Sequence, residues 1–111
     1  MSSLFLSVSV FAQTEHQLIR RIAVFPIEAP SEYREEVDKL WWELRDLLTK
    51  DQRFLVASKN FLVQKDVFQP RSELDPSDVI ILGKVLDAHA LMTTELKDKT
   101  LHMRVYDGEY G

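Results

Sequence analysis

The fold is decided by residues 21–58, which read RIAVFPIEAPSEYREEVDKLWWELRDLLTKDQRFLVAS. The stretch begins with one apolar run, residues 22–27, and ends with another, residues 54–57. Between them, apolar residues recur every three or four positions, which is the period of a helix with one apolar face. These residues are Tyr33, Val37, Leu40, Trp41, Leu44, Leu47 and Leu48. The sequence therefore predicts a strand, an amphipathic helix over about residues 31–49, and a second strand.

Both ends of this helix carry signals. Pro30 and Ser31 predict its start, because a serine oxygen can accept a hydrogen bond from an unpaired first-turn N–H. Acidic residues follow the start and basic residues lie near the end, which suits the helix dipole. A strand, a crossover helix and a second strand predict two parallel strands joined by a right-handed connection.

The middle of the chain predicts a short helix and a buried strand. Residues 58–68 place apolar side chains at helical spacing, after a residue that can cap a helix, either Ser58 or Asn60. Residues 78–86, DVIILGKVL, form a nearly continuous apolar and β-branched run, which is typical of a central strand covered on both faces. Gly83 within the run indicates a bulge or a close backbone approach.

The last third of the chain predicts a β-hairpin. Pairing Leu96 with Leu101 around a four-residue loop, residues 97–100, separates apolar from polar side chains. The face that we expect to be buried contains Met92, Thr94, Leu96, Leu101, Met103 and Val105. The chain then ends in a turn signal, DGEYG, after which we expect a natural continuation of the domain.

These segments predict one α/β domain over residues 20–111, in an arrangement close to the α+β class. Two helices pack as one layer on a mixed sheet of four or five strands, which ends in an antiparallel hairpin. A chain of 111 residues has the length of a single domain.

Composition disfavours several classes of site. The net charge of −4 argues against a nucleic-acid partner, because neutralising phosphates calls for a basic stripe, so we expect none. The chain contains no cysteine, which excludes thiolate metal and redox centres. No apolar run reaches the roughly 18–20 residues that span a bilayer, so we expect no transmembrane segment.

Residues 1–13, MSSLFLSVSVFAQ, contain an apolar core followed by small residues. This pattern is typical of the end of a secretory signal peptide cleaved after Ala12, although no charged residue precedes the core. The other interpretations are an alternating strand over residues 5–11 and a disordered tail. In the signal-peptide interpretation, the mature chain begins at Gln13 and works outside the cytoplasm.

No set of residues predicts catalysis. The strand-to-helix turn at Glu28 has no glycine and carries an anion, which disfavours phosphate binding. In the predicted hairpin His102 faces Glu95 as an exposed ion pair, while His89 lies about 20 Å away along the strand. The two histidines cannot share one metal ion. We therefore expect no enzyme, no cofactor and no metal.

Trp42 is the one candidate interaction residue. It lies beside the apolar stripe of the helix, next to Trp41. In one interpretation Trp42 covers the margin of a wide stripe. In the other it is a partly exposed aromatic anchor for a partner protein, since tryptophan is enriched at binding hot spots.

Four stretches carry a resemblance to a known family. They are RIAVFPI at 21–27, DQRFLVAS at 51–58, DVIILGKV at 78–85 and LHMRVYD at 101–107. Their order and spacing resemble the small α/β domain shared by the TolB N-terminal domain and CsgG-like envelope lipoproteins. The resemblance implies a non-catalytic domain that binds envelope proteins or helps to assemble secretion pores. Without a lipobox cysteine or a following β-propeller, it implies neither a lipid anchor nor a whole TolB.

The functional prediction is a non-enzymatic, periplasmic or envelope interaction domain, which works with other envelope proteins in transport or secretion. It would dock by adding a strand at an exposed sheet edge or through the Trp42 side of the helix. The alternative is a cytosolic α/β domain that binds a small ligand. That ligand would lie outside the carboxyl ends of the parallel strands, near Glu28 and Ser58.

Overall fold

The computed structural model describes residues 19–108. The elements, in chain order, are β1 (Arg20–Val24), α1 (Arg34–Lys50), β2 (Phe54–Val56), α2 (Lys59–Gln64), α3 (Pro76–Leu86), β3 (Ala90–Lys97) and β4 (Thr100–Asp107). A 3-10 turn, Ser31–Tyr33, leads into α1. The signal-peptide interpretation of residues 1–13 and the end of the final turn, residues 109–111, fall outside the described residues.

The strands form one mixed sheet in the order β2-β1-β3-β4. β1 pairs in parallel with β2 and with β3, and β3 pairs antiparallel with β4. The α/β class, the parallel pairing of the first two strands and the C-terminal hairpin are thereby confirmed. Residues 22–25 are each at most 3% exposed, so both faces of β1 are covered.

The predicted helix of the deciding stretch is confirmed, with differences in detail. Ser31 begins a 3-10 turn and its side chain makes no capping bond, so the predicted cap is wrong. Trp41 is buried, and its Nε1 donates a hydrogen bond of 3.0 Å to the Val24 carbonyl, which ties α1 to the sheet. Leu47 is 66% exposed, because at 100° per residue it points about 120° away from Trp41.

The predicted central strand at residues 78–86 is wrong, because these residues belong to α3. The Asp75 carboxylate accepts a hydrogen bond of 2.8 Å from the N–H of Asp78, and Pro76 occupies the first turn. Asp87, in the left-handed conformation, ends the helix. The buried positions follow helical spacing: Val79, Leu82, Gly83 and Leu86. β1 and β3 take the central places in the sheet, and α3 is a third helix beyond the two predicted.

The hairpin register is confirmed, since Leu96 pairs with Leu101. The turn is tighter than predicted, because Lys97 also pairs with Thr100. Asp98 and Lys99 form the turn with positive φ angles of 52° and 62°. Two central residues of this conformation match the type I′ turn that suits the twist of a hairpin.

The prediction of which face of β4 is buried is wrong. The exposed fractions are 38% for Leu101, 55% for Met103 and 62% for Val105. Arg104 and Tyr106 are half-buried instead, because residues 72–74 cover their face of the sheet. The Ser72 carbonyl accepts hydrogen bonds from the Thr93 hydroxyl and the Arg104 guanidinium, and the Tyr106 hydroxyl accepts one from the N–H of Leu74.

Candidate docking surfaces

A groove lies beyond the carboxyl end of β1, between the loop that follows this strand and the first two turns of α1. Its volume of about 570 Å³ falls in the range of ligand-binding sites. Its apolar lining includes Ile27, Val37, Trp41 and Phe68. The loop, α1 and residues 68–70 therefore meet in one concave surface.

The polar lining of the groove is mainly acidic. The carboxylates of Glu28, Glu35 and Asp38 line it, against the single guanidinium of Arg34. Within residues 19–108, none of these three carboxylates has a side-chain hydrogen bond or an ion pair. An apolar floor beside unpaired carboxylates suits a ligand that carries both apolar and cationic groups.

Trp42 is held in place although 41% of it is exposed. Its ring lies edge to face on that of Trp41, with 4.8 Å between ring centroids. The guanidinium of Arg45 stacks over both rings, at 5.3 Å from Trp41 and 5.5 Å from Trp42, and donates a hydrogen bond to the Ala57 carbonyl. Contacts within the domain thus hold the ring in one orientation.

Trp42 and the groove are neighbours along α1. Asp38, which lines the groove, precedes Trp42 by four residues, so the two side chains lie one turn apart on the same side of the helix. We call the groove together with Trp42 the α1 surface.

The outer edge of β4 is a second candidate surface. β4 is the last strand of the sheet, and among the strands of the described region only β3 pairs with it. Its exposed apolar residues, Leu101, Met103 and Val105, follow this edge. Docking at a sheet edge, as predicted from the sequence, would need an exposed edge of this kind, and that docking stays a prediction.

Glu28 and Ser58, which the sequence placed together at the strand ends, do not line the same cavity. Glu28 belongs to the groove, whereas Ser58 lines a separate concavity beside β2 and α3. The Ser58 hydroxyl accepts a hydrogen bond of 3.1 Å from the N–H of Phe61 and caps α2. Its predicted capping role is confirmed.

The histidines that the structure describes have structural neighbours. His89 Nδ1 accepts a hydrogen bond of 2.9 Å from the N–H of Arg21. His102 lies opposite Glu95, as the predicted register requires, but over residues 19–108 the two side chains form no ion pair, and the Glu95 carboxylate lies 3.9 Å from Arg104. Over residues 19–108, no three His, Cys, Asp or Glu side chains form a group that could hold a metal ion.

Asp51 and Arg53 form an ion pair outside the groove. Hydrogen bonds from the Arg53 side chain lower the pKa of Asp51 to about 2. This pair lies in the turn between α1 and β2, away from the groove, and stabilises that turn.

None of the helices within residues 19–108 combines the length and the apolar character needed to cross a membrane.

Comparison with known proteins finds no family model, no curated protein and no solved structure that matches this chain. The resemblance to TolB N-terminal and CsgG-like domains therefore stays a prediction. Of the four stretches that carry it, residues 78–85 form a helix where the resemblance needs a strand.

Sequence reasoning found Glu28 and Trp42 but missed Glu35, Asp38 and Phe68 as groove residues. The acids of α1 have the pattern of a solvated helix face, and Phe68 has that of a short apolar stripe. They converge only because α1 packs beside residues 68–70. The four-residue spacing of Asp38 and Trp42 is the one signal that links an acid to the aromatic pair.

Proposed function

We propose that this chain is a non-enzymatic interaction domain of the bacterial envelope, which binds a basic segment of a partner protein at its α1 surface. One observation carries the proposal. A groove of about 570 Å³ combines an apolar floor with three unpaired carboxylates, one helical turn from the exposed Trp42. Aromatic anchors beside a pocket are typical of interaction hot spots.

The charges of the groove determine the chemistry of the partner. Lys59 lies 5.2 Å from the ring of Phe68, and Arg45 stacks on Trp41 and Trp42, so cations of the chain itself already contact these aromatic rings. An incoming lysine or arginine would therefore pair with the carboxylates. Apolar residues next to it in the partner would contact the floor.

The probe for this site is a fluorescein-labelled peptide with the sequence Gly-Leu-Lys-Pro-Leu-Lys-Gly, followed by fluorescence anisotropy. We expect binding that weakens as salt is added, because exposed charges are screened. The same peptide with both lysines acetylated keeps its shape but loses its charge, and we expect it to bind roughly tenfold more weakly. Equal binding of the two peptides would contradict the proposal.

Two matched variants locate the binding site. The first, Glu28→Gln/Glu35→Gln/Asp38→Asn, neutralises the groove. Exposed ion pairs contribute roughly 0.2–1 kcal/mol each, so losing the carboxylate partners of both peptide lysines should weaken binding by up to about tenfold. The control, Glu32→Gln/Glu36→Gln/Glu43→Gln, removes as many charges from exposed positions that do not line the groove and that lie off the side of the helix carrying Asp38 and Trp42. At a salt concentration that screens long-range charge effects, we expect the control variant to bind the peptide like the wild type. An equal loss of affinity in both variants would contradict the assigned site.

The envelope location rests on residues 1–13 and on the family resemblance, and it is tested separately. The protein is expressed in a secreting bacterium, and its N-terminal mass is read in the periplasmic and cytoplasmic fractions. We expect a periplasmic species that begins at Gln13. An intact species beginning at Met1 and confined to the cytoplasm would contradict export. That result would not affect the interpretation of the groove experiment.

A second candidate function is the binding of a small cationic ligand in the same groove. The observation that favours it is the position of Glu28, outside the carboxyl end of a parallel strand, where α/β domains bind ligands. Spermidine is the probe that separates the two functions. If spermidine binds more tightly than the lysine peptide, and Trp42→Ala does not weaken it, the small-ligand function is favoured over protein docking.

A further inference from the structure

The outer edge of β4 exposes backbone N–H and C=O groups as well as apolar side chains. Because the turn contains only Asp98 and Lys99, Lys97 and Thr100 form the hydrogen-bonded pair that closes the hairpin. Hydrogen-bonded and non-hydrogen-bonded pairs alternate along an antiparallel ladder. The even-numbered residues of β4 therefore bond to β3. Leu101, Met103 and Val105 direct their N–H and C=O groups to the outer edge.

The side chains of these same three residues share one face of the sheet and are exposed. On that face Met103 pairs with Thr94, which is fully buried, so the cover over β3 does not extend to β4. Proteins protect sheet edges with charged side chains, above all lysine, and with proline, bulges or very short strands. β4 has eight residues, contains neither lysine nor proline and pairs continuously with β3, whereas the opposite edge strand, β2, has three residues.

We infer that β4 pairs with β4 of a second copy of this chain, antiparallel and about a two-fold axis at Met103. Leu101 of one copy then lies opposite Val105 of the other, and the two Met103 side chains lie opposite each other. All three residues exchange backbone hydrogen bonds across the axis. The two four-stranded sheets become one continuous sheet.

Side-chain charges select this register over its neighbours. Moving the axis by one residue toward the C-terminus places Arg104 opposite Arg104 and Leu101 opposite Asp107, and like charges directly opposite each other are destabilising. Moving it by one residue the other way places Val105 opposite Lys99, within the turn. The Met103 register is the one in which every exposed apolar residue of β4 meets an apolar residue. The sequence Leu-x-Met-x-Val is thus complementary to itself.

This surface is separate from the α1 surface, so the inference does not depend on the proposed function. The first test is sedimentation velocity of the full chain at about 10 μM to 1 mM, a range that spans weak dimers. We expect a monomer–dimer equilibrium. A monomer over the whole range would overturn the inference.

Two matched lysine variants place the contact. Met103→Lys puts a charge beside its own symmetry mate on the axis, and we expect it to weaken dimerisation roughly tenfold or more. Val63→Lys changes a side chain of similar exposure, 53% against 55%, on α2, and we expect no effect. Circular dichroism checks that both variants fold. A dimer that Met103→Lys does not weaken would exclude the β4 interface.

A cross-link tests the register itself, since the chain contains no cysteine of its own. Across a hydrogen-bonded antiparallel pair the Cα atoms lie about 5.5 Å apart and the Cβ atoms almost as far, which is longer than a disulfide spans, so a short bifunctional thiol reagent is used in its place. We expect Met103→Cys to form a covalent dimer with this reagent. Leu47→Cys, an exposed position on α1, serves as the control. Cross-linking at equal rates in both variants would reflect random collision and would contradict the register.

Discussion

Trp41 and Trp42 are in edge-to-face contact at 4.8 Å, yet Trp41 is 2% exposed and Trp42 is 41% exposed. Consecutive residues of a helix point 100° apart, so Trp41 reaches the core while Trp42 reaches its margin. The hydrogen bond from Trp41 to the Val24 carbonyl belongs to the fold. The exposed part of Trp42 is available to a partner.

Alanine substitutions should separate these two roles. Trp41→Ala opens a cavity and removes the hydrogen bond to Val24, so we expect the free energy of unfolding to fall by about 3–5 kcal/mol. Trp42→Ala should lower it by about 1 kcal/mol or less, since much of the ring is already in water. Urea denaturation measures both. Equal losses would show that Trp42 is a core residue and would remove it from the α1 surface.

Gly83 should resist a substitution that normally stabilises helices. Replacing a glycine inside a helix by alanine usually adds about 1 kcal/mol. Here a Cβ on Gly83 would collide with the Gly108 carbonyl oxygen. We therefore expect Gly83→Ala to destabilise the protein by about 1–3 kcal/mol in thermal or urea unfolding. Lys84→Ala, the neighbouring exposed position, is the control and should have little effect. Stabilisation by Gly83→Ala would contradict the packing of α3 near the end of β4.

The hairpin turn should gain stability from a glycine. Lys99 has a φ of 62°, a conformation that costs side chains energy and that glycine adopts freely. We expect Lys99→Gly to raise the free energy of unfolding by about 0.5–1 kcal/mol. Lys97→Gly, two residues earlier and within β3, should lower it by a similar amount. A loss of stability in Lys99→Gly would contradict the two-residue turn.

The turn between α1 and β2 should show a pH dependence. Arg53 lowers the pKa of Asp51 to about 2 from the usual 3.8, so the carboxylate form favours the folded state. A lowered pKa gives a contribution that is complete above about pH 4 and is lost as the pH falls toward 2. We expect Arg53→Gln to return the pKa of Asp51 toward 3.8 in an NMR titration. An unchanged low pKa in that variant would contradict the assigned cause.

The sequence predicted β1, α1, β2 and the hairpin register because each rests on a local period or a pairing rule. The run at 78–86 failed because an apolar, β-branched segment is compatible with a strand and with a buried helix. The decisive signal was the capping sequence before it, where Asp75 and Pro76 precede Asp78. Together these three residues predict a helix that begins at Pro76.

The surfaces were harder to predict than the elements. The buried face of β4 depends on residues 72–74, which lie across Thr93 and Arg104. No pattern within the hairpin contains that information. The groove similarly needs Glu28, Asp38 and Phe68, from three segments, to converge. Both surfaces are created by tertiary packing between distant segments. The periodicity of apolar residues within one segment carries no information about such contacts.

The most direct test of the central claim is an NMR titration of the ¹⁵N-labelled full chain with the lysine peptide. The chain has two tryptophans, both at the α1 surface, so their indole N–H signals report on it directly. We predict saturable shifts of the Trp42 indole and of the backbone amides of Glu35 and Asp38, which disappear with the acetylated peptide. Unchanged indole signals, or shifts confined to β4, would contradict docking at the α1 surface.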